Sequence, residues 1–135
     1  SFAVGKGEVL QDGTDVAVIA TGILVPEAIE AGKRLAAEGI SARVINMATI
    51  KPLDTETVIR AARDCGRIVT VEEHNIIGGL GEAVCSALAE ECPVPVHRIG
   101  VNDVFGHSGP AAALLKEFGL TADYITEAAR MLTGK

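Results

Sequence analysis

The sequence predicts an α/β fold of three layers, a largely parallel sheet covered by helices on both faces. Short β-branched apolar runs alternate with segments of helical periodicity almost from end to end. Apolar residues make up 48% of the chain but aromatics only 3%, so the core is built from Ala, Val, Ile and Leu. Side chains of that size let helices approach a sheet closely. The 135 residues match the commonest domain size, and neither a repeat nor a linker-like tract divides them, so we read 1–135 as one domain.

The elements follow in order. Phe2 to Leu10 reads as an opening strand, closed by Asp12-Gly13. Val16 to Ala20 is a strand that ends at Thr21-Gly22. Ala28, Ile29, Gly32, Leu35 and Ala36 then mark the inner face of a helix closed by Gly39. Ile40 to Ile45 is a strand, and Asp54 is positioned to N-cap a helix from about Thr55 to Asp64. Arg67 to Val71 is the next strand, and Gly78-Gly79-Leu80-Gly81 opens a helix running to about Glu90. Pro95 to Val101 is a strand. Two short helices complete the pattern, one with Ala112, Leu114, Leu115 and Phe118 inward, the other with Ile125, Ala128, Ala129 and Leu132.

Several function classes fall away on composition and motif. A net charge of −6 with scattered basic residues does not suit a nucleic-acid backbone. The apolar runs are too short to span a bilayer, and the opening residues lack the pattern of a secretory leader. Three cysteines, Cys65, Cys85 and Cys92, form no CxxC pair and read as buried free thiols in a reducing, cytoplasmic setting. The three histidines show no metal-ligand spacing. GxSxG and GxxxxGK[ST] are both missing, and Ser108 reads as a cap for the helix that begins at Pro110. His97 reads as structural and His107 as exposed in a polar turn.

In open parallel sheets, ligands gather beyond the carboxyl ends of the strands. Three such ends carry polar residues: Thr21-Gly22, Glu72-Glu73-His74-Asn75 and Asn102-Asp103. The densest cluster is Glu72, Glu73 and His74 with Gly79 and Gly81, where a carboxylate beside an imidazole suits acid–base work. The glycines admit two readings, a tight helix–sheet junction or an anion site at a helix N-terminus. His74 likewise serves either as a partner for a buried glutamate or as a prop for the glycine turn. Glu73, His74, Asp103 and Phe105 converge on one edge, where Phe105 reads as an apolar anchor in a polar rim.

Beyond these local patterns, the chain resembles the C-terminal domain of transketolases. Asp103-Val104-Phe105-Gly106-His107-Ser108-Gly109 is similar to that family's DxFGxSG pattern, and Leu114-Leu115 with Gly119-Leu120-Thr121 matches the ending that follows it. Upstream, Gly13-Thr14-Asp15-Val16 with Ile19-Ala20-Thr21-Gly22 resembles the family's opening strand. Ile50-Lys51-Pro52-Leu53-Asp54 resembles its strand-to-helix connection, and Val71-Glu72-Glu73-His74 with Gly78 to Val84 its "VEEH…GGLGEAV" segment. His107 is the one departure inside these motifs.

The resemblance implies a five-stranded mixed sheet in order 1-3-2-4-5 with strand 1 antiparallel. The Asp12-Gly13 turn alone favours a hairpin between the first two strands instead. We adopt the family order, because the matching motifs span nearly the whole chain. The resemblance further implies a noncatalytic assembly domain of a cytoplasmic, homodimeric enzyme of the pentose phosphate pathway, which moves a two-carbon ketol unit between sugar phosphates. Thiamine diphosphate and Mg²⁺ would sit on other domains, since this chain lacks the GDG…N element that holds them, and the chain would be part of a longer polypeptide. The resemblance assigns this chain no catalytic, cofactor or metal residue. It leaves Glu72, Glu73, His74, Gly79, Gly81, Asp103, Phe105, Gly106 and Ser108 as interface or anion-site candidates. The alternatives are the equivalent domain of deoxyxylulose-phosphate synthase or of a 2-oxoacid dehydrogenase β subunit, a free-standing anion- or nucleotide-binding module, and an interaction domain that kept the fold without the enzyme.

Overall fold

Five strands form one sheet in the order β1-β3-β2-β4-β5. They are β1 (Glu8–Gln11), β2 (Val16–Ala20), β3 (Ala42–Asn46), β4 (Ile68–Glu73) and β5 (Val96–Val101). The computed structural model describes residues 5–73, 79–101 and 120–135. Among these, a 3-10 turn at Gly22–Leu24 leads into α1 (Val25–Ala37), followed by α2 (Thr55–Cys65), α3 (Leu80–Leu88) and α4 (Leu120–Thr133).

β2 is central and parallel to β3 on one side and β4 on the other, and all five of its residues are buried. Its alternation divides the core. Val16, Val18 and Ala20 pack with Val44, Val69 and Val71 beneath α1 and α4, through Ala28, Leu35, Ile125 and Ala129. Ala17 and Ile19 face the other way, with Ile45 and Ile68, against Val58 and Ala62 of α2 and Leu80, Val84 and Leu88 of α3. A strand buried on both sides reads as a continuous apolar run, which is why this one was plain in the sequence.

β1 runs antiparallel to β3, pairing Glu8 with Asn46 and Val9 with Ile45, with an irregularity between Val9 and Gln11. This is the family order, and the β1–β2 hairpin favoured by the local turn does not form. The cause lies at Asp12-Gly13. Asp12 Oδ1 accepts from the Gly13 N–H at 2.8 Å and from Arg43 Nε at 2.9 Å, which ties the turn to β3. A Cβ on Gly13 would stand 2.4 Å from the Ala42 carbonyl carbon, so glycine is needed for close passage under β3. Arg43, 8% exposed, also pairs with Asp64 at 3.0 Å, joining the turn to the end of α2.

Other expectations shift at their edges. β4 runs on through Glu72 and Glu73, and α3 stops at Leu88 rather than Glu90. Ile40 is buried but precedes β3, and Ala36 of α1 is exposed. Of the three cysteines only Cys65 is buried. Cys85 is exposed on α3, off the face that buries Leu80, Val84 and Leu88, and Cys92 beyond the helix is partly exposed. The second of the two short helices expected near the end is the 14-residue α4. The first, around Ala112 to Phe118, lies outside the described residues, as does the start of the predicted opening strand.

Candidate functional site

The carboxyl ends of β2, β3 and β4 all point toward one edge of the sheet, where the sequence placed its candidates. Of these, Glu72, Glu73, Gly79 and Gly81 fall within the described residues. His74, Asp103, Phe105, Gly106 and Ser108 lie outside them.

Glu72 is the organising residue. It stands on β4, two positions beyond Thr70, on the face covered by α3. Its Oε1 accepts the Leu80 N–H at 2.8 Å and its Oε2 accepts the Gly81 N–H at 2.7 Å. These are N–H groups of the first turn of α3, which no carbonyl within the helix can satisfy. A carboxylate there also meets the positive end of the helix dipole. Both glycine readings therefore meet at one point. The junction is tight, and the anion at the helix start is the chain's own glutamate.

Gly81 makes that approach possible. A Cβ on it would stand 2.5 Å from Arg98 Cδ and 3.1 Å from Glu72 Oε2. Arg98 of β5 lays its aliphatic stem across the start of α3. With Glu72, Glu73, Gly79, Glu82 and Gly100 it lines a shallow open recess. Three carboxylates and one guanidinium give this recess acidic character, which does not suit a phosphate. His97 lies on the opposite face of β5, beside Tyr124, Ala128 and Met131 of α4.

Two further carboxylates cap helices. Asp54 N-caps α2 as the sequence predicted, with Oδ1 accepting the Thr57 N–H at 3.2 Å. Burial raises the pKa of this carboxyl. The bonds from the Thr57 hydroxyl, the Gly7 N–H and the Thr57 N–H, with Lys6 nearby, outweigh burial and hold the carboxyl below its usual range. Glu27 of α1, only 2% exposed, accepts the Ala122 N–H at 3.2 Å in the first turn of α4. Sequence reasoning missed Glu27, since an acidic residue in the first turn of a helix ordinarily faces water. Its one signal was position, on the turn that the Ala28–Leu35 face places against the sheet.

The Cys65 thiol is pushed up by burial, partly opposed by Arg43, and it donates to the Gly13 carbonyl at 3.4 Å. That describes an inert structural thiol. Among the described residues, no three His, Cys, Asp or Glu side chains are grouped to hold a metal ion. No described helix is long and apolar enough to cross a membrane.

Comparison with known proteins places this architecture. The family model for the transketolase C-terminal domain matches residues 5–125. The 6-deoxy-6-sulfo-D-fructose transketolase subunit SqwH of Clostridium sp. (strain MSTE9) is 48% identical over 98% of this chain and 41% of that protein. A 1-deoxy-D-xylulose-5-phosphate synthase of Heliobacterium modesticaldum is 45% identical over 96% of this chain and 20% of that protein. Among solved structures, a split gene transketolase described as an inactive beta4 tetramer superposes with a TM-score of 0.84 at 50% identity. It covers 98% of this chain and 44% of that one. This chain thus spans less than half the length of these relatives. With the matching motifs, the shared strand order and the family match over most of its length, the chain belongs to the transketolase C-terminal domain family.

Proposed function

We propose that residues 1–135 form one C-terminal domain of a transketolase-type enzyme that moves a two-carbon ketol unit between sugar phosphates, and that this domain serves assembly rather than chemistry. Coverage carries the reading. Nearly all of this chain aligns with 41% of a transketolase subunit, which leaves the larger part of such an enzyme to other sequence. In this reading thiamine diphosphate and its divalent cation are held by those other parts. The donor set supports that division: Glu72, Asp54 and Glu27 are committed to helix N-termini, and no three His, Cys, Asp or Glu among the described residues are gathered around a point. Its partners are the remaining domains of the enzyme and a second subunit in a cytoplasmic homodimer, with the strand-end edge near Glu73 and His74 as the meeting surface. The pathway reading is the pentose phosphate pathway.

A second reading, the equivalent domain of a deoxyxylulose-phosphate synthase, is favoured by the 45% identity to one such enzyme. Both place the ketol chemistry outside this chain. A free-standing anion-binding module is disfavoured, since Glu72 occupies the two N–H groups at the start of α3. Calorimetric titration of the 135-residue chain with thiamine diphosphate and Mg²⁺ tests the proposal. The expected result is no saturable heat. Saturable, Mg²⁺-dependent binding in the micromolar range overturns the assembly role.

A further inference from the structure

We infer that Asp54 is a latch that fastens the entry segment, residues 5–7, to the head of α2, and is thereby a positioning residue for the polypeptide leading into this fold. The second clause rests on the proposed C-terminal-domain reading; the latch does not.

The observation is that Asp54 does more than cap a helix. An N-cap needs one acceptor, which Ser, Thr or Asn supplies equally well. Here Oδ1 alone performs that task, on the Thr57 N–H. Oδ2 accepts the Thr57 hydroxyl at 2.6 Å and the Gly7 N–H at 2.8 Å, the latter from 47 residues upstream. Asp54 is 6% exposed, and a carboxylate so placed is tolerated only when both oxygens are partnered. Gly7 belongs to neither helix nor strand, and β1 begins at the next residue.

Packing agrees with the bond. A Cβ on Gly7 would lie 3.0 Å from Met47 Cε, 3.3 Å from Thr57 Cγ2 and 3.4 Å from Ile45 Cγ2. The Gly7 backbone therefore rests directly on side chains from the end of β3 and the first turn of α2, and Met47 beneath it is 1% exposed. A backbone seated this closely, with its N–H held by a buried carboxylate, enters the fold at a fixed point and in a fixed direction.

Amide hydrogen exchange by NMR on the 135-residue chain tests the latch, and its outcome does not depend on any sugar-phosphate chemistry. In the wild type the Gly7 amide should exchange at least roughly fifty-fold more slowly than an unstructured glycine. Asp54→Ser keeps a helix cap but is too short to reach Gly7. It should release Gly7 by roughly tenfold or more while the amides of Ala61 and Ala62 in α2 change by less than about threefold. A wild-type Gly7 exchanging at the free rate overturns the latch, even if the serine variant does not fold. So does a variant in which Gly7 keeps its protection, or in which Gly7 and α2 lose theirs together.

Discussion

Replacing Glu72 tests whether the start of α3 depends on an internal anion. Glu72→Ala removes both acceptors from the Leu80 and Gly81 N–H groups. Hydrogen bonds to a charged group contribute about 1.5–3 kcal/mol each, and we take the low end because Glu72 is only half-buried and water can reach the vacated donors. Two bonds give a loss of about 3 kcal/mol, slightly above the range of about 0.5–2 kcal/mol seen for ordinary N-cap deletions. Glu72→Gln keeps one oxygen and turns an amide N–H toward the second donor, so its loss should be about half as large. α3 has only nine residues, too few to hold together without its cap or its packing. Urea denaturation followed by circular dichroism reads the loss as a lower midpoint at unchanged slope. Vacating the two N–H groups also makes an anion site, so inorganic phosphate should stabilise Glu72→Ala more than wild type. An alanine variant within about 0.5 kcal/mol of wild type, the scatter of a neutral surface change, would refute the reasoning. A glutamine variant as damaged as the alanine one would show that the charge and the paired oxygens act together, since glutamine fills the same space and keeps one acceptor.

Two other outcomes follow from buried polar groups. Thr70 of β4 is fully buried and its hydroxyl has no hydrogen-bond partner among the described residues, so Thr70→Val should stabilise the fold by about 1 kcal/mol. A clear loss of stability in the urea midpoint would reveal a partner for that hydroxyl. Asp54 has a folded-state pKa below its ordinary value of 3.8, so its contribution is fully present above that value. It is lost as pH falls through the lower, folded value. Acid titration of stability should therefore be steeper below about pH 5 in wild type than in Asp54→Ser, and parallel curves would contradict the assignment.

Much of the layering was legible because it follows from periodicity. β2 appears as five buried apolar residues in a row, and Asp54 announces α2 by a cap three residues from the N–H it accepts. Both are local signals. The failures are contacts between residues far apart in sequence. The Asp12-Gly13 turn looked like a hairpin because the local rule knows nothing of Arg43, 31 residues on, which claims the Asp12 carboxylate. Glu27 went unnoticed because the Ala122 N–H that it accepts lies 95 residues away. Glu72 was singled out in the right place, but no local pattern told which of Glu72 and Glu73 turns inward. The bonds in the structure go to Leu80 and Gly81, which the sequence had marked as a possible site for a foreign anion. Cys85 and Cys92 were expected to be buried because free thiols usually are, yet Cys85 is exposed on α3 and Cys92 is partly so.

The central claim is that this sequence works as one part of a thiamine diphosphate enzyme whose chemistry lies elsewhere. Its most direct test is to tag the polypeptide that carries this sequence in the cells that make it and purify the native protein. The purified species is then assayed for bound thiamine diphosphate and for ketol transfer between sugar phosphates. The account predicts an assembly well above the 13.9 kDa of this chain, carrying the cofactor on sequence outside these residues and active in the transfer. A 13.9 kDa species with neither cofactor nor activity would contradict it, as would cofactor cross-linked to residues of this chain.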